Sequence, residues 1–545
     1  MTSREMSSPR LTSPGMSTWG KAQLPPRFPI FIPHSTAMKK ITSLLLLILL
    51  SLSALTQSLP RSTPEAEGVS SAAILRFIEA YQTNIHELHS VMIIRHGKVI
   101  TEAWWNPYAA DLKHSMYSIS KSWTSTAVGF AVDEKKLSVT DKVISFFPEY
   151  QGLASKPFVA DLTVKDLLTM SVGHDREDFG SVFMQADWTN AFLRLPIVYK
   201  PGTKFMYNTL ATYLLSAIVQ KATGQKLMDY LTPRLFTPLG ISGVDWEENN
   251  KGINTGGWGI RVKTEDMAKL GLLYLNKGQF NGKQILSSEW VKEATSKQIE
   301  QKPDTTQAAK DSSDWLQGYG YQFWRCRNNA VRGDGAFGQY IVMMPDQDAV
   351  VIITSESLDL QDDLNMIWRN LLPAFSNNNS IPKDRKSLRR LQKKIKQLKL
   401  NPPATITKKG NQQLVNTSFP LNANAFNFAS IKVQQSKKSW SLVIEDKAKK
   451  MYEIPLGFHS WAFGETTLVG PYLLRPAPIN FGLLGAFKTA GSCRWLDEET
   501  LEITIRYIES PHHWTITLRK EKGQLKMKLI NSYAPDTVME IKEKK

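Results

Sequence analysis

The chain has 545 residues, too many for one ordinary hydrophobic core, so two domains plus tails are expected. Its 42% hydrophobic and 21% charged residues are those of a soluble globular protein. The net charge of +17 resembles a nucleic-acid signal, yet nine Lys or Arg and one Asp fall within residues 383–399, about half of the excess. There Leu388, Leu391, Ile395 and Leu398 recur at helical spacing, so the cations read as the solvated face of a connecting helix and no nucleic acid is expected.

Near the N-terminus, Met38-Lys39-Lys40 followed by the apolar run 41–50 has the charged and apolar regions of a secretory signal. The run is too short to span a bilayer comfortably. The reading is therefore an upstream extension over 1–37, a signal over 38–58, export to the periplasm or medium, and no transmembrane anchor after cleavage. Cys326 and Cys493 are far apart in sequence, and a disulfide between them is not indicated.

From residue 60 the elements follow in order. A helix is predicted from about Ser71, with Ala73, Ile74, Phe77 and Ile78 on its apolar face. Residues 90–94 and 99–104 form a hairpin around Arg95-His96-Gly97-Lys98, with His96 in the turn. Tyr117-Ser118-Ile119-Ser120-Lys121 then opens a helical run to about Val132, placing Lys121 on the face of Ser118 one turn on. A serine hydroxyl is a weak nucleophile until its proton is taken, and a lysine can take it only where burial or a neighbouring cation leaves it neutral. The same spacing recurs at Ser380-Ile381-Pro382-Lys383, where the proline argues against a helix.

A helix over 162–170 begins at a threonine cap, and His174-Asp175 follows in a loop whose adjacent acid and base rarely point into one site. Residues 200–209 form a turn that ends at Tyr207-Asn208 and leads into an apolar helix over 210–223. The tyrosine could share a proton with a nearby lysine, and Asn208 or Thr209 could cap the helix. Residues 252–259 are glycine-rich around Trp258 and read as a tight loop. Strands are expected over 318–324, 330–338, 339–344 and 349–354, then a helix over 363–374. Strands at both ends of a helical centre imply one antiparallel sheet covered by helices, an α+β domain over 60–375. After a basic linker over 376–400, residues 401–545 break into short β-rich runs with Trp440, Trp461, Trp495 and Trp514 among them, a separate all-β sandwich or barrel. His512-His513 reads as a turn feature and not a metal pair, since no third ligand is evident.

Taken together, Ser118-x-x-Lys121, Pro201-Gly202-Thr203-Lys204-Phe205-Met206-Tyr207-Asn208 and Gly333-Asp334-Gly335-Ala336-Phe337-Gly338-Gln339 resemble the serine β-lactamase-related family, which includes class C β-lactamases, D-alanyl-D-alanine carboxypeptidases, esterases and 6-aminohexanoate-dimer hydrolases. The resemblance covers about residues 60–375 and implies a β-lactamase/peptidase fold with an all-helical subdomain. It also implies that Ser118 is acylated, that Lys121 accepts its proton, and that Tyr207 relays a proton to the leaving group. The oxyanion hole would be the backbone N–H of Ser118 plus one from Gly335, Ala336 or Phe337. Two departures stand out. Tyr207-Asn208-Thr209 replaces Tyr-x-Asn, the form of the 6-aminohexanoate-hydrolase-like or esterase-like branch, which puts a substrate contact by Asn208 in doubt. No Lys or His stands in Gly333-Asp334-Gly335, so a substrate carboxylate loses its usual partner, for which Arg332 is the candidate substitute cation. The β-rich segment resembles lipocalin-like domains appended to exported members.

The resulting expectation is an exported serine hydrolase, with no metal or cofactor, cleaving a small ester, amide or peptide. A surface, carbohydrate or lipid contact through the β domain is a further role it could serve. The alternatives are an enzyme of the penicillin-binding, D-alanyl-D-alanine-peptidase or β-lactamase type, and a catalytically idle binding protein.

Overall fold

A computed structural model describes residues 58–544, apart from 83–85, 405, 408–409, 438, 475–476 and 478. The 38–50 run and the extension before it lie outside the described residues. The first sheet is built from both ends of the N-terminal two thirds of the chain. Its strands are β1 (Glu87–Arg95), β2 (Lys98–Trp104), β3 (Trp324–Arg325), β4 (Val331–Gly335), β5 (Gln339–Met344) and β6 (Ala349–Glu356), in the order β2-β1-β6-β5-β4-β3. Every neighbouring pair is antiparallel.

Alternation along the strands splits the core into two layers. Val91, Ile93, Val351 and Ile353 face one side, where they pack with helix α1 (Ser71–Gln82) and Leu391 of the basic helix. Met92, Ile94, Val350 and Ile352 face the other, where they join α2 (Ser120–Asp133), α3 (Thr209–Thr223) and α4 (Thr264–Leu275). Helix α2 is buried on all sides from Ser120 to Ala131. Its small residues permit close approach, and two of its buried hydroxyls bond to neighbouring loops: Thr124 donates to the Gly256 carbonyl and Ser122 to that of Gln322.

Several boundaries differ from expectation, two of them most; the strand expected over 330–338 also ends at Gly335, before the turn. Residues 318–323 are not a strand, because their backbone bonds go to the segment before them: Tyr319 exchanges hydrogen bonds with Ile299, and Tyr321 donates to Ala294 at the end of a helix, so the strand begins only at Trp324. The final helix of the region, α5 (Leu360–Met366), starts earlier than predicted, at an Asp359 cap, and continues through irregular turns to Ala374. The basic segment forms α6 (Arg385–Ile395), whose Leu388, Leu391 and Ile395 line a groove against Val99 and Ile100 of β2.

The C-terminal segment is a single curled sheet of ten strands from Ser418 to Lys542. Its first and last strands meet: Leu421 bridges Glu543, Asn422 donates to Lys542, and Lys544 donates to Pro420. The result is a barrel, filled by Trp495, Ile503, Ile505, Trp514, Ile516 and Leu529. Cys493 lies in this core and Cys326 in the first domain's, and both are free thiols. Ion pairs join the barrel to the rest: Arg506 with Glu87 at 2.5 Å and Arg261 with Glu509 at 3.4 Å.

Candidate active site

Ser118 sits in a single 3-10 turn, Tyr117–Ile119, that runs directly into α2. Tyr117 adopts the left-handed conformation (φ 47°), which costs a bulky residue about 1–3 kcal/mol and persists only when its surroundings hold it. Lys121, one turn on, is 1% exposed, and its Nζ lies 2.9 Å from Ser118 Oγ. The same nitrogen lies 2.9 Å from the Gly257 carbonyl and 3.3 Å from Thr209 Oγ1. A neutral amine has two N–H groups and one lone pair. The Gly257 carbonyl and Thr209 take the two N–H groups, which leaves the lone pair for the Ser118 hydroxyl.

The electrostatics suit that state. Burial pushes the Lys121 amine down to about 7, opposed by the carboxylates of Glu177 and Asp334. Glu177 accepts hydrogen bonds from the backbone N–H groups of Thr209 and Leu210 at the start of α3, and another from the Thr209 hydroxyl. Burial raises its carboxyl, and Lys121 opposes the rise. The glycine at 257 is required by contact: a Cβ there would lie 2.6 Å from Thr209 Cγ2. Any larger residue would push the carbonyl away from Lys121.

Tyr207 closes the other side. Its ring lies 4.8 Å from Lys121 Nζ, is stacked on Trp324 at 5.5 Å, and its hydroxyl shares a hydrogen bond with Ser118. Phe205, Tyr319 and Trp315 complete this aromatic wall. Burial, reinforced by Asp334, holds the Tyr207 phenol well above its ordinary range. Gly335 ends β4 against the nucleophile turn, and a Cβ there would lie 2.2 Å from the Met116 carbonyl. Ala336 and Phe337 form the turn to β5, with Phe337 also left-handed (φ 64°) and its ring 5.6 Å from Tyr117. The structure thus brings Ser118, Lys121, Tyr207 and the strand end Gly335, Ala336, Phe337 into one place.

Two other predicted residues lie elsewhere. Asn208, a candidate for substrate contact or for the helix cap, is fully buried as the α3 cap: its Oδ1 accepts from Ala211 N and its Nδ2 faces His174 Nδ1 at 3.1 Å. Burial pushes that histidine to about 4, so it is a neutral partner and not a base. Arg332, expected as the substitute cation, is fully buried between Trp315 and Trp324. Its guanidinium pairs with Asp334 at 2.9 Å and donates to the Asp314 carbonyl and Cys326 Sγ, which turns it away from any ligand.

Sequence reasoning missed Glu177, Thr209, Gly257 and Asp334. Three of them stand in segments the sequence singles out, Asp334 in the glycine-rich strand, Thr209 after Tyr207-Asn208 and Gly257 in the 252–259 loop, but none of those signals gives the role. Glu177 lies three residues beyond His174 in a loop whose path the sequence does not state.

Replacing Glu177 by glutamine keeps an acceptor for the α3 N–H groups and removes the charge that favours protonated Lys121. A protonated amine has no lone pair, so activity rises with pH through the amine's titration. The acid limb of kcat/KM, centred near pH 7 in the wild type, is expected to move about one unit lower in Glu177→Gln. An unchanged limb would show that Lys121 is not the titrating group.

A family model described as Beta-lactamase matches residues 82–374. The 6-aminohexanoate-dimer hydrolase of Paenarthrobacter ureafaciens is 24% identical over 284 residues, 48% of this chain and 70% of its own. The D-aminopeptidase of Brucella anthropi is 26% identical over 167 residues, 28% of this chain and 31% of its own. Among solved structures, an octameric penicillin-binding protein homologue from Pyrococcus abyssi aligns with a TM-score of 0.44 and 17% identity, over 86% of this chain and 99% of its own.

Proposed function

Because the chain belongs to the β-lactamase family of serine hydrolases, we propose that it cleaves an ester or amide bond through a covalent Ser118 acyl-enzyme. The observation that carries this reading is the buried Lys121 amine, brought near neutrality by its surroundings and 2.9 Å from Ser118 Oγ. In the proposed reaction Lys121 takes the hydroxyl proton as Ser118 Oγ attacks the carbonyl carbon. The backbone N–H of Ser118 and one from the strand end at 335–337 receive the developing oxyanion. Each such donor is worth about 3 kcal/mol on the transition state. The carbonyl–heteroatom bond then breaks, Tyr207 passes a proton to the leaving group, and water, deprotonated by the same pair, releases the acid.

The substrate class follows from charge. Glu177 and Asp334 both lie close enough to Lys121 to bias its titration, while the Arg332 cation is held by Asp334. Such a cleft favours acyl groups that are neutral or carry an amine over those with a carboxylate beside the scissile bond. This supports an esterase or amidase over a β-lactam-directed enzyme. The charged and apolar run at 38–50 supports placing the enzyme outside the cytoplasm.

Hydrolysis of p-nitrophenyl butyrate, followed in the wild type and in Ser118→Ala, tests the reading. Multiple turnovers in the wild type, reduced at least about a thousandfold in the variant, are expected. Stoichiometric labelling of Ser118 by a fluorescent penicillin, with no product release, would instead favour the penicillin-binding alternative. Absence of both turnover and label in folded protein would leave the idle binding protein.

A further inference from the structure

The barrel reaches into the hydrolase centre. His512 lies just before the strand His513–Glu521 and is fully buried. Its Nδ1 is 2.6 Å from Glu356 Oε1, at the end of β6, and its Nε2 is 2.6 Å from the Tyr117 hydroxyl. Glu356 Oε1 also accepts from Ser532 Oγ at 2.5 Å. An ionised carboxylate only accepts, so Nδ1 carries the imidazole proton and Nε2 presents its lone pair. The Tyr117 O–H therefore donates to His512, and the array has one direction from Tyr117 through His512 to Glu356.

Tyr117 directly precedes Ser118, and its left-handed backbone needs support. Its carbonyl accepts from Ser120 Oγ at 2.6 Å, and its ring lies edge-on to Phe337. Phe337 in turn lies edge-on to the His512 ring at 4.6 Å. The hydroxyl contact with His512 is the hydrogen bond that the barrel makes to Tyr117 itself, and Ser115, two residues earlier, donates to the Glu509 carbonyl. The barrel also reaches the lysine side of the site: Tyr472 donates to Glu247 Oε2 at 2.5 Å, and Trp258 Nε1 donates to the same oxygen at 2.9 Å. Trp258 follows Gly257, whose carbonyl receives Lys121. Ser118 is thus tied to the C-terminal domain through its neighbour Tyr117, and Lys121 through Trp258, the neighbour of the carbonyl that receives it.

We propose that His512 is a positioning residue for the hydrolase reaction: acting through the Tyr117 hydroxyl, it holds the turn that aims Ser118 Oγ at Lys121. The β domain is then a structural part of the active centre. The proposal rests on the Ser118 acyl-enzyme reading given above. A misplacement of the nucleophile by a fraction of an ångström to an ångström is enough to slow acylation strongly while leaving the substrate contacts in place.

The test measures the rate at which a fluorophosphonate labels Ser118 in the full chain, with p-nitrophenyl butyrate kinetics alongside. Tyr117→Phe removes one hydroxyl and keeps the ring, so it is the variant best able to fold. His512→Ala removes the acceptor, and His512→Gln offers an amide with one acceptor and one donor. Tyr117→Phe and His512→Ala are expected to label about ten- to a hundredfold more slowly, with kcat reduced and KM nearly unchanged. The double variant should be no slower than the slower single, because both remove the same hydrogen bond. His512→Gln should recover part of the rate. Wild-type labelling rates in folded Tyr117→Phe and His512→Ala would overturn the proposal, as would losses that multiply in the double variant. If the wild type itself leaves Ser118 unlabelled and inactive, the acyl-enzyme reading fails first and takes this inference with it.

Discussion

Replacement of Lys121 by methionine is expected to lower kcat/KM for an ester substrate by about three orders of magnitude while leaving the protein folded. Methionine has nearly the length of lysine and no proton acceptor of useful basicity. The variant removes the lone pair that faces Ser118 and disturbs packing little, because the side chain is already buried against the Tyr207 ring. Burying an amine is itself unfavourable. The loss of its bonds to Gly257 and Thr209 is thus partly offset, and the melting temperature should stay within a few degrees of wild type. Combining Lys121→Met with Ser118→Ala should cost no more than Ser118→Ala alone, as expected of two groups that act as one unit. A Lys121→Met enzyme retaining a tenth of wild-type activity would assign the base to another group.

Arg332→Met should produce the largest loss of stability, about 3–5 kcal/mol, because it removes one member of a buried ion pair and leaves the other uncompensated. The residue left behind is Asp334, whose carboxylate is 2.9 Å from the guanidinium. The Asp314 carbonyl and Cys326 Sγ lose a donor, and the indole faces of Trp315 and Trp324 lose their cation. Urea denaturation measures the loss, and Arg332→Met/Asp334→Asn should recover part of it by removing the stranded charge. The single variant should also shift the acid limb of activity to higher pH, because an unpaired Asp334 favours the protonated form of Lys121 more strongly than a paired one. A loss below about 1 kcal/mol would mean that water enters and solvates the vacated site.

What could be read from the sequence was mostly what is local. Ser118 and Lys121 are three residues apart on a helix, so one periodicity brings them together. The hairpin of β1 and β2 and the barrel runs at 440–445 and 501–507 alternate or are rich in β-branched residues, and they fold as strands, the two barrel runs each one residue longer. The strand expected at 318–324 failed because two glycines let the chain bend against residues 294–301, which took its backbone bonds. Arg332 looked available because sequence states charge and not exposure. Asn208 carried two readings, and the helix start decided for the cap. Glu177 and His512 were out of reach for another reason: each meets the site through a fold contact spanning tens to hundreds of residues, and neither stands in a motif.

The closure of the C-terminal sheet has a further consequence. An open ten-stranded sheet would carry two rows of unpaired N–H and C=O groups, each able to template the addition of a strand from another molecule. Here the bridge between Leu421 and Glu543 joins those rows to each other, and it depends on residues 542–544. Loss of those residues would reopen both margins at once. The chain would then become prone to swapping strands with its neighbours, although nothing near Ser118 had been altered.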